Sequence, residues 1–224
     1  MTRVLIGYSR DHTTVNLLRA RGIKAYTCDI LPADHPWHIQ DDIWNVAYEP
    51  WDWAIFHPMC TYLTVSAAWA FCDPDYERYP GVGYHQRVKP GTLTGQARRD
   101  ARADALLNFR RLLALPYPKA IENPAPSFIS KAIRQPDQTI QPYEFGDNAS
   151  KRTGLWLDRM PSLVPTARLA GRMVRMRFGH IVERWANQTD GGQNRVTPSP
   201  DRWLERSATY PGIAAAFADQ WGRA

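Results

Sequence analysis

The first 29 residues carry the pattern that most restricts the fold. An aliphatic run at 4–6 breaks at Gly7-Tyr8-Ser9, a helical spacing follows through Val15, Leu17, Leu18 and Arg21, and a second run at 24–28 ends on Asp29. Gly22 stands where a helix C′ residue takes up the left-handed conformation. This is a β-α-β unit, and the acidic residue closing its second strand occupies the place where nucleoside-binding α/β folds hold a ribose hydroxyl. The expectation is an α/β fold with a mostly parallel, Rossmann-like sheet and helices on both faces. The opening residues lack the apolar stretch and small-residue cleavage site of a signal peptide, which points to the cytoplasm.

Two further strands deliver chemistry at their ends. Residues 53–56, preceded by a polar segment with Asp41 and Asp42, run straight into His57-Pro58-Met59-Cys60. Cys60 therefore falls just past the carboxyl end of a strand, the edge at which open α/β sheets bind ligands. Residues 119–122 form the fourth strand, bringing Glu122 and Asn123 to its end, and Pro124 and Pro126 stop it at once. Between these strands, 73–96 is rich in Pro, Gly, Tyr and charge without periodicity, and reads as an exposed loop. The helix at 96–115 follows, with Ala97, Ala101, Ala105, Leu106, Phe109, Leu112 and Leu113 near 3.6 spacing and Arg98, Arg99, Arg102 and Arg110 on solvated faces. After Asn123 the pattern predicts a short helix at 127–134, strands at 139–143 and 151–157, and an irregular arginine-rich stretch at 161–193. One or two helices at 201–221 then bury Ile213, Ala216, Phe217 and Trp221.

A length of 224 residues suits one catalytic domain spanning 1–224, taken as a monomer. No apolar run approaches the roughly 18 residues of a membrane span, so no membrane partner is expected. Three cysteines, an odd count without a C-x-x-C, suggest neither a disulfide framework nor a structural zinc site. Cys28 and Cys72 read as small buried hydrophobes. His35, His38 and His57 form no ligand-spaced cluster, so no metal is expected, and His57 reads as a hydrogen-bond partner within its loop. The net charge of +6 comes largely from arginine, which suits phosphate and guanine contacts and makes nucleic acid the leading partner.

His57-Pro58-Met59-Cys60-Thr61 and Ile121-Glu122-Asn123-Pro124, separated by a helix, resemble the Pro-Cys loop and Glu-Asn dipeptide of the DNA cytosine 5-methyltransferases. A compact phage-type branch of that family is more similar still, with an ending like Thr209-Tyr210-Pro211-Gly212-Ile213-Ala214. The resemblance implies that Cys60 is the nucleophile that adds to carbon 6 of cytosine, because carbon 5 accepts an alkyl group only once such addition makes it enamine-like. Glu122 then holds the amino group and N3 of the ring, and Asn123 fixes the loops. Arg152, in Lys151-Arg152-Thr153, matches an arginine that contacts the flipped nucleotide and its phosphate. The segment at about 158–194 stands where the family inserts its target-recognition domain, far shortened, with Arg172, Arg175, Arg177 and nearby Arg195 as contacts to DNA. A base inside a duplex must be flipped out for this chemistry.

The cofactor implied is S-adenosyl-L-methionine, with Gly7, Tyr8, Ser9, Arg10, His12, Asp29, Asp42 and Pro58 around it. Where the family has Phe-x-Gly-x-Gly, this chain has Gly7-Tyr8-Ser9-Arg10-Asp11-His12. A cationic loop suits an additional carboxylate, as on carboxy-S-adenosyl-L-methionine, and carboxymethyl transfer is the alternative. A pyrimidine enzyme acting on free nucleotide and a nucleic-acid-binding module without catalysis are the other readings.

Overall fold

The computed structural model describes residues 1–65, 67–195 and 208–223. Its centre is a seven-stranded sheet in the order β3-β2-β1-β4-β5-β7-β6. The strands are β1 (Arg3–Gly7), β2 (Lys24–Asp29), β3 (His38–Gln40), β4 (Trp53–Phe56), β5 (Lys119–Pro124), β6 (Gln138–Ile140) and β7 (Thr153–Asp158). β1 pairs in parallel with β2 and β4, β2 with β3, and β4 with β5, while β7 runs antiparallel to β5 and β6. The strand order reverses between β1 and β4, as in doubly wound sheets, and β7 is set between β5 and β6. The α/β class and the mostly parallel sheet expected from the sequence are present, in an arrangement compatible with a Rossmann-like fold.

The central strands are buried on both sides, which is why they read as near-continuous aliphatic runs. Val4, Ile6 and Ile55 face one way and pack with Val15 and Leu18 of α1 (His12–Ala20) and with Ile213, Phe217 and Trp221. Leu5, Ala54 and Phe56 face the other way, against α2 (Ile43–Val46) and against Phe109 and Leu112 of α3 (Gly95–Leu113). Period-2 alternation thus builds two cores, and helices cover both faces. Two short helices complete the set: α4 (Phe128–Ala132) beside β5, and α5 (Pro211–Ala216), which runs on into a π turn at Phe217–Trp221. Phe217 and Trp221 are fully buried and stacked at 4.6 Å, and each such side chain contributes roughly 2–3 kcal/mol through burial.

Several expectations are corrected. The polar stretch before β4 holds β3 and α2, three and four residues long, too short to show a period. Pro124 is the last residue of β5 rather than its stop, tolerated at a strand end because only its missing N–H is lost there. β6 ends at Ile140, and Pro142 starts a 3-10 turn instead of continuing the strand. The stretch 161–193 is not irregular: it contains a hairpin of β8 (Arg172–Arg175) and β9 (Ile181–Arg184), closed by Gly179 at φ +83°. Cys72 is exposed, whereas Cys28 is buried as expected. Arg98 is only 5% exposed and is no solvated surface residue. Residues 201–207 of the expected terminal helices lie outside the described residues. Among the described residues no helix is long and apolar enough to cross a membrane.

Candidate active site at the carboxyl ends of β4 and β5

Phe56 pairs with Ile121 in the parallel register of β4 and β5, so His57 and Glu122 leave the sheet edge side by side. His57 Nδ1 lies 3.1 Å from Glu122 Oε2, and the His57 backbone N–H donates to the Gly7 carbonyl at 3.0 Å. Asn123, 1% exposed, donates its side-chain amide to the Pro58 carbonyl at 2.9 Å. That bond ties the loop after β4 to the end of β5. Cys60, half-buried and outside any disulfide, lies two residues beyond Pro58. Its carbonyl accepts from the N–H groups of Leu63 and Thr64, both at 3.0 Å, closing the loop into a turn. The turn is docked in its own right by a Thr64–Ser127 bridge and by Phe128 N–H donating to Leu63 at 2.7 Å.

Glu122 lines a narrow hollow with His57, Lys151, Thr153, Tyr210 and Ile213 among its walls. Burial pushes its carboxyl pKa up, but the His57 hydrogen bond, the Lys151 charge and the Thr153 hydroxyl outweigh burial and hold it at about 2. Glu122 is therefore a carboxylate at neutral pH, and His57 Nδ1 must be the donor in their bond. The other ring nitrogen, Nε2, is buried without a hydrogen-bond partner among the described residues. Gly212 explains why the chain's ending can close this hollow. A Cβ there would meet the Phe145 carbonyl oxygen at 1.9 Å, so only glycine lets α5 seat against that backbone and carry Tyr210 and Ile213 into place.

Arg152 is not with Glu122. In extended backbone neighbours point to opposite sides, so Lys151 and Thr153 face the Glu122 hollow while Arg152 lines a second one beside α4. Lys151 and Thr153 are the members of the Lys-Arg-Thr run that touch the carboxylate's surroundings, and alternation is the signal that distinguishes them from Arg152.

Three arginines of α3 hold the chain that follows Cys60, Arg98 at Thr61 and Arg99 and Arg102 at Phe71. Arg98 donates to the carbonyls of Thr61 at 3.2 Å and Leu93 at 3.3 Å and stacks over Phe71 at 4.8 Å. Arg102 lies 4.3 Å from the ring centroids of both Phe71 and Phe128. Arg99 donates to the Phe71 carbonyl at 2.8 Å and pairs with Asp73. Helical spacing alone did not separate these from surface charge, because their partners come from a loop without periodicity.

On the cofactor side the expected residues divide. Gly7 is required by packing, since a Cβ would stand 2.5 Å from the Phe56 ring. Tyr8, at φ +56°, turns away from the sheet edge and donates its hydroxyl to Asn108 of α3 at 3.0 Å; burial pushes that hydroxyl up to about 12. Ser9 accepts from the Asp11 N–H at 3.2 Å, and Asp11 caps α1. Asp42 caps α2, accepting from the Trp44 N–H at 2.9 Å. Asp29 stands at the end of β2, with Oδ1 accepting from the Leu31 N–H at 2.9 Å. His12 is exposed at the start of α1, two residues after Arg10 in the chain, and buried Pro58 meets this region through the contact of its neighbour His57 with Gly7.

On the other side, Arg175 and Arg177 are exposed and form no ion pair among the described residues, Arg172 pairs with Asp190, and Arg195 donates to the Gln188 carbonyl at 2.8 Å. The hairpin is rooted beside the site: Asn187 exchanges two hydrogen bonds of 2.9 Å with the backbone of Ser150, the residue before Lys151. Among the described residues no group of three or more histidines, cysteines or carboxylates could hold a metal ion. No protein-family model matches the chain, and no curated protein matches it.

Proposed function

We propose that this chain is a transferase that alkylates carbon 5 of cytosine in DNA, with Cys60 as the nucleophile. The observation that carries the reading is the joining of two strand ends: Asn123 bonds to Pro58, and His57 to Glu122, so the cysteine loop and the carboxylate form one unit beside the reversal of strand order. The Cys60 thiolate forms a bond to carbon 6 of the ring and the electron pair of the carbon 5–carbon 6 double bond takes up the alkyl group at carbon 5; solvent water then takes the carbon 5 proton, the double bond re-forms and the carbon 6–sulfur bond breaks to expel the thiolate. Glu122 meets the base as a carboxylate and accepts a hydrogen bond from the 4-amino group, which orients the ring for attack. His57 keeps that carboxylate oriented.

S-adenosyl-L-methionine, when bound, supplies the electrophilic carbon. Asp29 fits its ribose, having one carboxylate oxygen engaged by Leu31 and its position at the carboxyl end of β2. Asp42 and Tyr8 are committed to α2 and α3. Arg10, Ser9 and His12 make the loop after β1 polar and cationic, which also favours a carboxylated donor and keeps carboxymethyl transfer as the second reading.

The test is capture on DNA bearing 5-fluorocytosine, in which carbon 5 cannot lose its substituent and the covalent adduct persists. The parent chain is expected to form a denaturation-resistant complex dependent on the alkyl donor, and Cys60→Ser to form none. Parallel incubations with S-adenosyl-L-methionine and its carboxylated form, read by nucleoside mass, identify the group transferred. Absence of both adduct and mass change overturns the reading.

A further inference from the structure

The second hollow, about 230 Å³, opens beside the Cys60 turn between α4, β6 and the segment entering β7. Its most buried polar member is Ser127, 3% exposed, whose hydroxyl has no hydrogen-bond partner among the described residues and makes no capping bond to α4. A buried hydroxyl left unpaired is costly, and such groups occur where a ligand completes them. Lys131, Gln135 and Arg152, all exposed, line the same hollow, and Pro126 and Pro136 add apolar surface. No carboxylate lines it, and neither Lys131 nor Arg152 forms an ion pair among the described residues. The two charged side chains can only donate, so they ask for a ligand with acceptors along one edge.

We propose that this hollow reads a guanine base next to the target cytosine, with Arg152 and Lys131 donating to O6 and N7 and the Ser127 hydroxyl bonding to the buried edge of the ring. Guanine's major-groove edge presents those two acceptors, and arginine or lysine on that edge is the commonest specific base contact. Adenine sets an amino donor beside N7, cytosine presents an amino donor, and thymine has one acceptor beside a methyl group, so donor-only side chains favour guanine. A phosphate would also accept, but it has no ring to lie against Pro126 and Pro136. The volume is below the roughly 300 Å³ at which pockets take drug-sized molecules, which suits one base with its sugar outside. Position supports a neighbour of the reacting base. Ser127 pairs with Thr64 of the Cys60 turn, and the Arg152 carbonyl accepts from the Ala125 N–H at 3.1 Å, two residues beyond Asn123. Lys151 and Thr153 line the Glu122 hollow while Arg152 lines this one, so the segment entering β7 serves both. Sequence context is thus read at the edge of the sheet itself, apart from the β8–β9 hairpin. The adjacency to cytosine rests on the proposed alkylation, whereas the affinity for guanine does not.

The measurement is of binding, without an alkyl donor. Short labelled single strands, which offer their bases unstacked, carry one cytosine with guanine on its 5′ or its 3′ side. Companion strands replace that guanine by adenine, by thymine or by 7-deazaguanine, which lacks the N7 acceptor, and all have the same number of phosphates. Fluorescence anisotropy with the full chain is expected to show roughly tenfold tighter binding when guanine stands on one of the two sides, with most of the advantage lost for 7-deazaguanine. Arg152→Gln and Ser127→Ala are each expected to bring the guanine strand close to the affinity of the others. Ser127→Ala is expected to melt no lower than the parent, since it removes an unpaired buried group, so lost preference cannot be ascribed to lost folding. Equal weakening of every sequence in Arg152→Gln marks a phosphate contact and overturns the proposal. So does equal affinity of the parent chain for all the strands, or a guanine preference that persists in both variants. A preference for guanine without capture on 5-fluorocytosine removes the alkylation and keeps the guanine hollow, and capture without a preference does the reverse.

Discussion

His57 Nδ1 stands 3.1 Å from Glu122 Oε2, so the first residue past β4 is bonded to the carboxylate on β5. With its carboxyl held at about 2 against an ordinary value of 4.5, Glu122 contributes stability above pH 4.5, on the order of 3 kcal/mol, that is lost as the pH falls toward 2. His57→Gln is expected to raise that pKa, flatten the loss of stability between pH 4.5 and 2, and lower stability at pH 7. Denaturant titrations of both proteins across that range check it; parallel curves for the two would refute the link. Capture on 5-fluorocytosine should slow in the same variant, because the carboxylate is no longer oriented.

Arg98 places its guanidinium under the Cys60 turn, bonded to Thr61 and Leu93 and stacked on Phe71. Arg98→Met retains the stem's apolar packing and leaves two carbonyls short of a donor. We expect about 2 kcal/mol of destabilisation in urea, with a fall in capture rate larger than the fall in folded fraction, since Thr61 adjoins the nucleophile. Arg98→Lys should recover part of the stability and little of the rate, because an ammonium does not reproduce the planar fork. Equal recovery of both would mean that Arg98 acts on folding alone.

What was legible beforehand follows physical scale. β1, α1 and β2 span whole periods of buried aliphatic residues, and Gly22 at φ +80° ends α1 as its position predicts. The placement of Cys60 and Glu122 near the carboxyl edge of the sheet was legible because polar residues follow the aliphatic runs of two strands that turn out to be neighbours. β3 and α2 were not, being too short to repeat. The hairpin β8–β9 was hidden for a different reason: its two faces do not alternate between apolar and polar, since Met173 and Ile181 are 68% and 53% exposed beside Arg175. Nor does spacing reveal what a side chain will be used for. Asp42 and Asp29 are alike in sequence, yet one caps a helix and the other reaches the sheet edge.

Phe178 at the hairpin tip is 88% exposed, with Arg175, Arg177 and His180 around it. The tip is held by hydrogen bonds from Met176 to the His180 carbonyl and from Gly179 to the Met176 carbonyl, both 2.9 Å, so its shape does not depend on the aromatic ring. Phe178→Ala is accordingly expected to change stability by less than about 0.5 kcal/mol. If the hairpin meets DNA, Arg175→Gln and Arg177→Gln each remove one phosphate contact and should reduce the slope of log affinity against log salt by about one. Phe178→Ala should leave that slope unchanged while weakening binding, because a ring that stacks on bases carries no counterion-releasing charge. Fluorescence anisotropy of a labelled duplex and of its single strand at several salt concentrations separates the two effects. Identical slopes in the parent and both arginine variants would remove the hairpin from the DNA surface.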